Sequence, residues 1–174
     1  MKTKVILMLI MFLPAGAFCQ DKTNTEKEKE AIKAVIEGLL KDHAECDHEG
    51  WTSAWIQQPY IFISYADKSG HFISKGWNEL KEMAKSSFTR AMEEDKKTGR
   101  IMTLEPYDFI IRVYSESAWA QYKIKWTEIY TGKEETKEWI TFENYSFEKA
   151  DGQWKIASIS AVDLTSFNEK AEVN

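Results

Sequence analysis

From Ile101 to Ala161 the chain is a succession of aromatic and β-branched runs. Short turns cut it at Ser115-Glu116-Ser117, Thr131-Gly132-Lys133 and Asp151-Gly152. Period-two patterning sustained this long admits little besides a sheet of long neighbouring strands. The runs predict strands at about 101–114, 118–130, 136–149 and 153–163. In the second, Ala118, Ala120, Tyr122, Ile124 and Trp126 alternate with Gln121, Lys123, Lys125 and Thr127, so the even positions face an interior and the lysines face water. The third is apolar on both parities, Ile140 and Phe142 beside Asn144 against Trp139, Tyr145 and Phe147. Both of its faces are then covered, one by helices and the other by a second copy in a homodimer. Pro106 marks a bulge or edge position in the first strand.

Three helices precede these strands. Thr25 and Glu28 have the spacing of a capping box, and Ile32, Val35, Ile36, Leu39 and His43 follow at helical steps, predicting a helix over 25–45. Asp47 can cap a second helix at 48–57, which Pro59 ends. Residues 60–65 and 71–74 read as a short hairpin around Asp67-Lys-Ser-Gly70. Trp77, Leu80, Met83, Ala84, Phe88 and Met92 give a third helix over 77–95, stopped at Gly99.

Residues 1–19 read as a secretory signal. Lys2 and Lys4 are followed by the apolar run Val5–Leu13 and by small residues before a cut between Cys19 and Gln20. That run is too short to span a bilayer. A lipoprotein acylated at Cys19 is the alternative, and Phe18 counts against it. The mature chain, 20–174, is then expected in the periplasm or the medium. Removing Lys2 and Lys4 from 23 basic residues leaves 21 against 28 acidic ones, a net charge of −7. Such a chain, with no basic cluster, is a poor partner for nucleic acid. Cys46 is its one thiol, so no internal disulfide is expected, and stability rests on packing by aromatics, of which the full chain holds seven Trp, seven Tyr and nine Phe.

Helix, helix, hairpin, helix and four long strands together resemble the nuclear transport factor 2-like superfamily, which includes ketosteroid isomerase, scytalone dehydratase and polyketide-cyclase-like proteins. The stretches that carry the resemblance are Ala44-Glu-Cys-Asp47 leading into Trp51, Gly76-Trp-Asn-Glu-Leu80, and Asp151-Gly-Gln-Trp-Lys-Ile156. It covers about 25–163. It implies an α+β domain in which a cone-shaped, strongly curved antiparallel sheet packs on three N-terminal helices, often dimeric through the outer sheet face. Family enzymes place His, Asp or Tyr in the cone, and many end the last strand on His-x-Ser. Here that stretch is Ser158-Ile-Ser160-Ala-Val-Asp163, without histidine. The departure counts against the family's hydrolase and dehydratase chemistries.

The resemblance would bring Trp55, Tyr60, Trp77, Phe88, Tyr122 and Trp126 to the border of one cavity, with Asn144 and Ser160 as polar contacts. They can equally be filled core. Buried Trp and Tyr tips that converge favour a pocket for a small, largely apolar molecule. His43 continues the buried stripe of the first helix and is the candidate general base, or else a hydrogen-bonded core histidine. The run Asp42 to Glu49 could hold a metal through His43, Asp47 and His48, but no other histidine-rich segment completes a site, and the end of an amphipathic helix is the simpler reading. No cofactor is expected. Cys46 lacks an orienting partner and reads as a small buried residue. Two functions remain. One is an exported domain that binds a small, largely apolar ligand or a protein partner in an aromatic-lined cone. The other is an isomerase, dehydratase or cyclase in which His43 takes a proton and a pocket tyrosine binds the enolate. They divide on whether a titratable side chain stands at the cavity floor.

Overall fold

The computed structural model describes residues 22–131 and 135–168. The expected signal segment and its cut lie outside them. In chain order the elements are α1 Lys22–Ala44, α2 His48–Ser53, β1 Phe62–Asp67, β2 Gly70–Lys75, α3 Trp77–Thr98, β3 Arg100–Tyr114, β4 Ser117–Tyr130, β5 Thr136–Ala150, β6 Gln153–Asp163 and α4 Leu164–Asn168. Six strands form one sheet in the order β2-β1-β6-β5-β4-β3. The sheet curves without closing, and α1, α2 and α3 cover its concave face.

The four long strands fall within a residue of the expected bounds. Asp151 and Gly152 join β5 to β6 in a two-residue turn with φ of 52° and 74°. Positive φ at both centres is what a tight hairpin with the right strand twist requires. β3 is an edge strand with a bulge between Tyr107 and Ile110, so Pro106 costs no pairing in a central strand. Gly99 ends α3 in the left-handed conformation, its N–H on Asp95 O.

Several expectations need correction. The sheet is mixed, because β1 runs parallel to β6 while every other pairing is antiparallel. α1 continues back through Thr25 to Lys22, so the capping box does not start it. Glu28 instead clamps the helix to the β5–β6 hairpin, accepting from Lys149 Nζ at 2.9 Å and from Trp154 Nε1 at 2.5 Å. α2 stops at Ser53, well before Pro59. Its following residues are drawn onto the sheet, with Ile56 N donating to Ile156 O and Ile156 N to Ala54 O. A fourth helix follows β6, started by Asp163, whose carboxylate accepts from Ser166 N.

The parity of β4 holds. Ala118, Ala120, Tyr122 and Ile124 are buried, while Lys123 and Lys125 reach outward to Asp108 and Glu138. On β5 the buried parity is Thr141, Glu143, Tyr145 and Phe147. These residues face Ile32, Ile36, Leu39 and Leu40 of α1 and Leu80, Ala84 and Phe88 of α3 in one core. Burying each large aliphatic side chain of that set stabilises by about 1.5–3 kcal/mol before conformational entropy is set against it. The outer face is half polar at its centre, where Ser146 meets Ser158 and Ser64 meets Ser160 through their hydroxyls. Ile101, Ile110 and Ile129 stay exposed on β3 and β4.

Candidate functional site

The concave face and the helices enclose a cavity of about 220 Å3. α1 supplies Leu39, Leu40 and His43, α2 Trp51, and α3 Met83, Ala84, Ser87 and Phe88. The sheet contributes Ile63, Ser64 and Tyr65 from β1, Ile124 and Trp126 from β4, Glu143 and Tyr145 from β5, and Ile159 and Ala161 from β6. Among the described residues neither lysine nor arginine lines it.

His43 lies one turn beyond Leu39 on the buried stripe of α1. Phe88 and Trp126 hold its ring edge-on, with centroids at 5.4 Å and 5.5 Å. Its area is half-buried because it faces the cavity, yet protein encloses it on the other sides. That enclosure pushes its pKa down to about 4, and nearby Arg100 acts in the same direction. The ring is therefore neutral at neutral pH.

Glu143 is 3% exposed. Burial raises its carboxyl to about 7, opposed by a 2.5 Å hydrogen bond that Thr141 Oγ1 donates to Oε1. Thr141 Oγ1 in turn accepts from Trp126 Nε1 at 2.8 Å. Trp126 is fixed from behind by Trp139, stacked at 5.5 Å and 9°. Tyr65 is pushed up to about 12 by burial and by Asp163, Asp67 and Glu143, so its hydroxyl keeps its proton and can donate. A carboxyl poised near neutrality, a neutral imidazole and a phenol donor in one apolar cavity can move a proton and steady a developing oxyanion.

Of the residues expected at the cavity, His43, Phe88 and Trp126 line it. Trp55 packs on Trp51 at 5.2 Å within the core, outside the cavity. Tyr60 is 57% exposed and donates to Glu148. Trp77 is half-buried at the start of α3 on the rim of the core. Tyr122 shares the parity of Trp126 but lies deeper, stacked on Phe109 at 5.0 Å and 18°. Asn144 and Ser160 occupy the opposite parity to Glu143 and Ala161 and do not line the cavity; the Ser160 hydroxyl accepts from Ser64. The sequence reading passed over Trp51, Tyr65, Tyr145 and above all Glu143. Glu143 shares the parity of Tyr145 and Phe147, and a lone acid on the inward register of an otherwise apolar strand is the signal that could have found it.

The polar run 42–49 is split by the fold. His43 faces the cone. Asp42 faces a separate open groove of about 600 Å3 between α1, α2 and the β5–β6 turn. Burial and the neighbouring Asp47 raise the pKa of Asp42. Asp47 caps α2, accepting from Glu49 N and Gly50 N at 3.0 Å. Among the described residues no three His, Cys, Asp or Glu side chains converge as metal ligands. Cys46 is half-buried, and burial raises its pKa, which keeps the thiol protonated and a poor nucleophile.

No protein-family model matches the chain, and no curated protein matches it in sequence. Solved structures do resemble it. A Novosphingobium aromaticivorans protein provisionally assigned as a scytalone dehydratase matches with a TM-score of 0.60 at 19% identity, over 81% of this chain and 87% of that one. A nuclear transport factor 2-like protein with a cystatin-like fold, also from Novosphingobium aromaticivorans, gives 0.61 at 16% identity over 86% and 90%. A provisionally assigned dehydratase of the same fold group from Streptomyces avermitilis gives 0.60 at 13% identity over 80% and 97%. At these identities the likeness establishes the fold.

Proposed function

We propose that this chain, with its nuclear transport factor 2-like fold, uses the cone as an acid–base site that isomerises or dehydrates a small, neutral, largely apolar carbonyl compound. The observation that carries the reading is Glu143, a carboxyl enclosed in the cavity wall with its pKa raised into the neutral range. It supports the second of the two functions, because a titratable group does line the cavity. His43 was the expected base; a ring whose pKa is about 4 is a weak one, and Glu143 takes that role.

The chemistry balances on these residues. The Glu143 carboxylate takes a proton from the carbon next to the carbonyl. The C–H electron pair becomes the C=C of an enolate, whose oxygen accepts a hydrogen bond from Tyr65. Where the substrate is β,γ-unsaturated, the enolate is conjugated with that double bond, and Glu143 returns the proton to the γ carbon as the C=C moves to the α,β position, which completes an isomerisation. Alternatively the β C–O bond breaks and the proton leaves with the hydroxyl as water. The cavity is smaller than the ~300–1,000 Å3 of drug-sized pockets, which favours a compact substrate. Two of the similar structures carry provisional dehydratase assignments, and that supports the same class.

Proton exchange tests this without knowing the substrate. Small cyclic ketones and enones in D2O should exchange their α-protons with the wild-type chain. Glu143→Gln should exchange about 10²–10⁴-fold more slowly. Saturable ligand binding with no exchange above buffer would make the chain a binding domain instead.

For assembly we propose a homodimer through the outer sheet face, where Ile101, Ile110 and Ile129 stay exposed. Sedimentation at micromolar concentration should give twice the monomer mass, and a monomer throughout would overturn it.

A further inference from the structure

Trp126 Nε1 donates to Thr141 Oγ1 at 2.8 Å, and Thr141 Oγ1 lies 2.5 Å from Oε1 of Glu143. An indole N–H can only donate. The hydroxyl of Thr141 already accepts from it, so its single proton points the other way, at Glu143. Thr141 is 1% exposed, which leaves no place for water to substitute. Trp126 cannot turn to release the hydroxyl, because Trp139 stacks on its face and His43 meets it edge-on.

We propose that Trp126 and Thr141 form a one-way hydrogen-bond relay that fixes Oε1 of Glu143 as an acceptor and confines the transferable proton to Oε2. This rests on the reading of Glu143 as the proton carrier. Thr141 is a positioning residue, acting on a substrate only through the carboxyl. The relay does two things. It removes one of the two oxygens from proton traffic, so the carboxyl gives and takes at a single place. It also favours the charged form, since a hydroxyl aimed at a carboxylate oxygen is a charge-assisted bond. Without it, burial alone would keep Glu143 protonated further above neutrality, and the base would be lost.

The groups around Glu143 do not compete for this role. Tyr145 on β5 and Tyr122 on β4 are raised well above their usual range by burial. Tyr65 on β1 stays protonated to about 12, with Asp67 and Asp163 acting on it. His43 on α1 is neutral above about 4. A titration near neutrality inside the cone therefore belongs to Glu143.

Carboxyl NMR of the full chain labelled with ¹³C-glutamate reads that titration directly and needs no substrate. Thr141→Val should raise the midpoint by about 1–2 pH units, the worth of one hydrogen bond to a charged group. Thr141→Ser, which restores the hydroxyl, should leave it where it is in the wild type. Trp126→Phe should also raise it, by less, because the freed hydroxyl can then turn and accept. An unmoved midpoint in Thr141→Val, or an equal shift in Thr141→Ser, overturns the relay. If Thr141→Val does not fold, Trp126→Phe decides alone, and a wild-type midpoint there overturns the proposal. The expected shifts without α-proton exchange in the wild type would leave the relay standing and sink only the acid–base reading.

Discussion

Glu143→Gln is expected to stabilise the fold at pH 8 by about 2–3 kcal/mol and to leave it unchanged at pH 4. The carboxyl has a folded pKa of about 7 against 4.5 for an ordinary glutamate. Between those values the native state binds more protons than the unfolded one, so wild-type stability falls as pH rises through the window and stays low above it. Glutamine has no such ionisation, keeps the side-chain shape and still accepts from Thr141. His43 has the opposite sign. Its folded value is about 4 against 6.5 unfolded, so the unfolded state binds more protons between them and stability rises with pH there. The two slopes oppose each other from about pH 4.5 to 6.5 and flatten the wild-type profile. The Glu143→Gln profile should instead climb by up to about 3 kcal/mol across the His43 window. Urea midpoints at pH 4 and pH 8 check both statements. Absence of any gain at pH 8 would mean that ionised Glu143 is well solvated. A variant more stable and less active is the usual mark of a group kept for chemistry at a cost to folding.

Tyr122→Ala should cost about 3–5 kcal/mol, and Trp126→Ala clearly less. Tyr122 is 1% exposed, stacked on Phe109 and edge-on to Tyr145, so truncation opens a void in packed core. Trp126 is a larger side chain, yet one of its flanks already borders the cavity, and truncation merely enlarges an existing space. The same variant should admit bulkier hydrophobic ligands. Equilibrium unfolding of both variants, paired with uptake of a hydrophobic probe, tests the contrast. Equal losses with no uptake by the wild type would mean that the cone is close-packed.

Strands and helices were legible because their periods are written in adjacent residues: Ala118 to Trp126 announces a strand and its inward face without reference to anything distant. The site was legible only in part. Parity tells which way a residue points but not how deep it sits, so Tyr122 and Trp126 looked equivalent until Phe109 was seen to fill the space above one of them. Asn144 and Ser160 are polar, as pocket contacts would be, but the alternation of their own strands turns them away from the cone. Glu143 was overlooked because an acid among aromatics reads as a solvated residue, and its burial is decided by α1 and α3, far away in the chain. The helix start at Thr25 failed for a similar reason. Glu28 has the spacing of a local cap, while its partners Lys149 and Trp154 are supplied by the opposite end of the domain.

The parallel pairing of β1 with β6 has a consequence for how the domain comes into being. Ser64 and Ser160, neighbours across that seam, are 96 positions apart in the chain. β6 lies between β1 and β5, so Tyr65 and Glu143 share a cavity only once the last long strand to be synthesised has slotted between them. Such distant pairings form slowly, since a large loop must close before any contact rewards it. A nascent chain halted at the β5–β6 turn would hold most of its helices and five of its six strands yet possess no cone. The domain thus becomes a folded body and gains its cavity in the same late event.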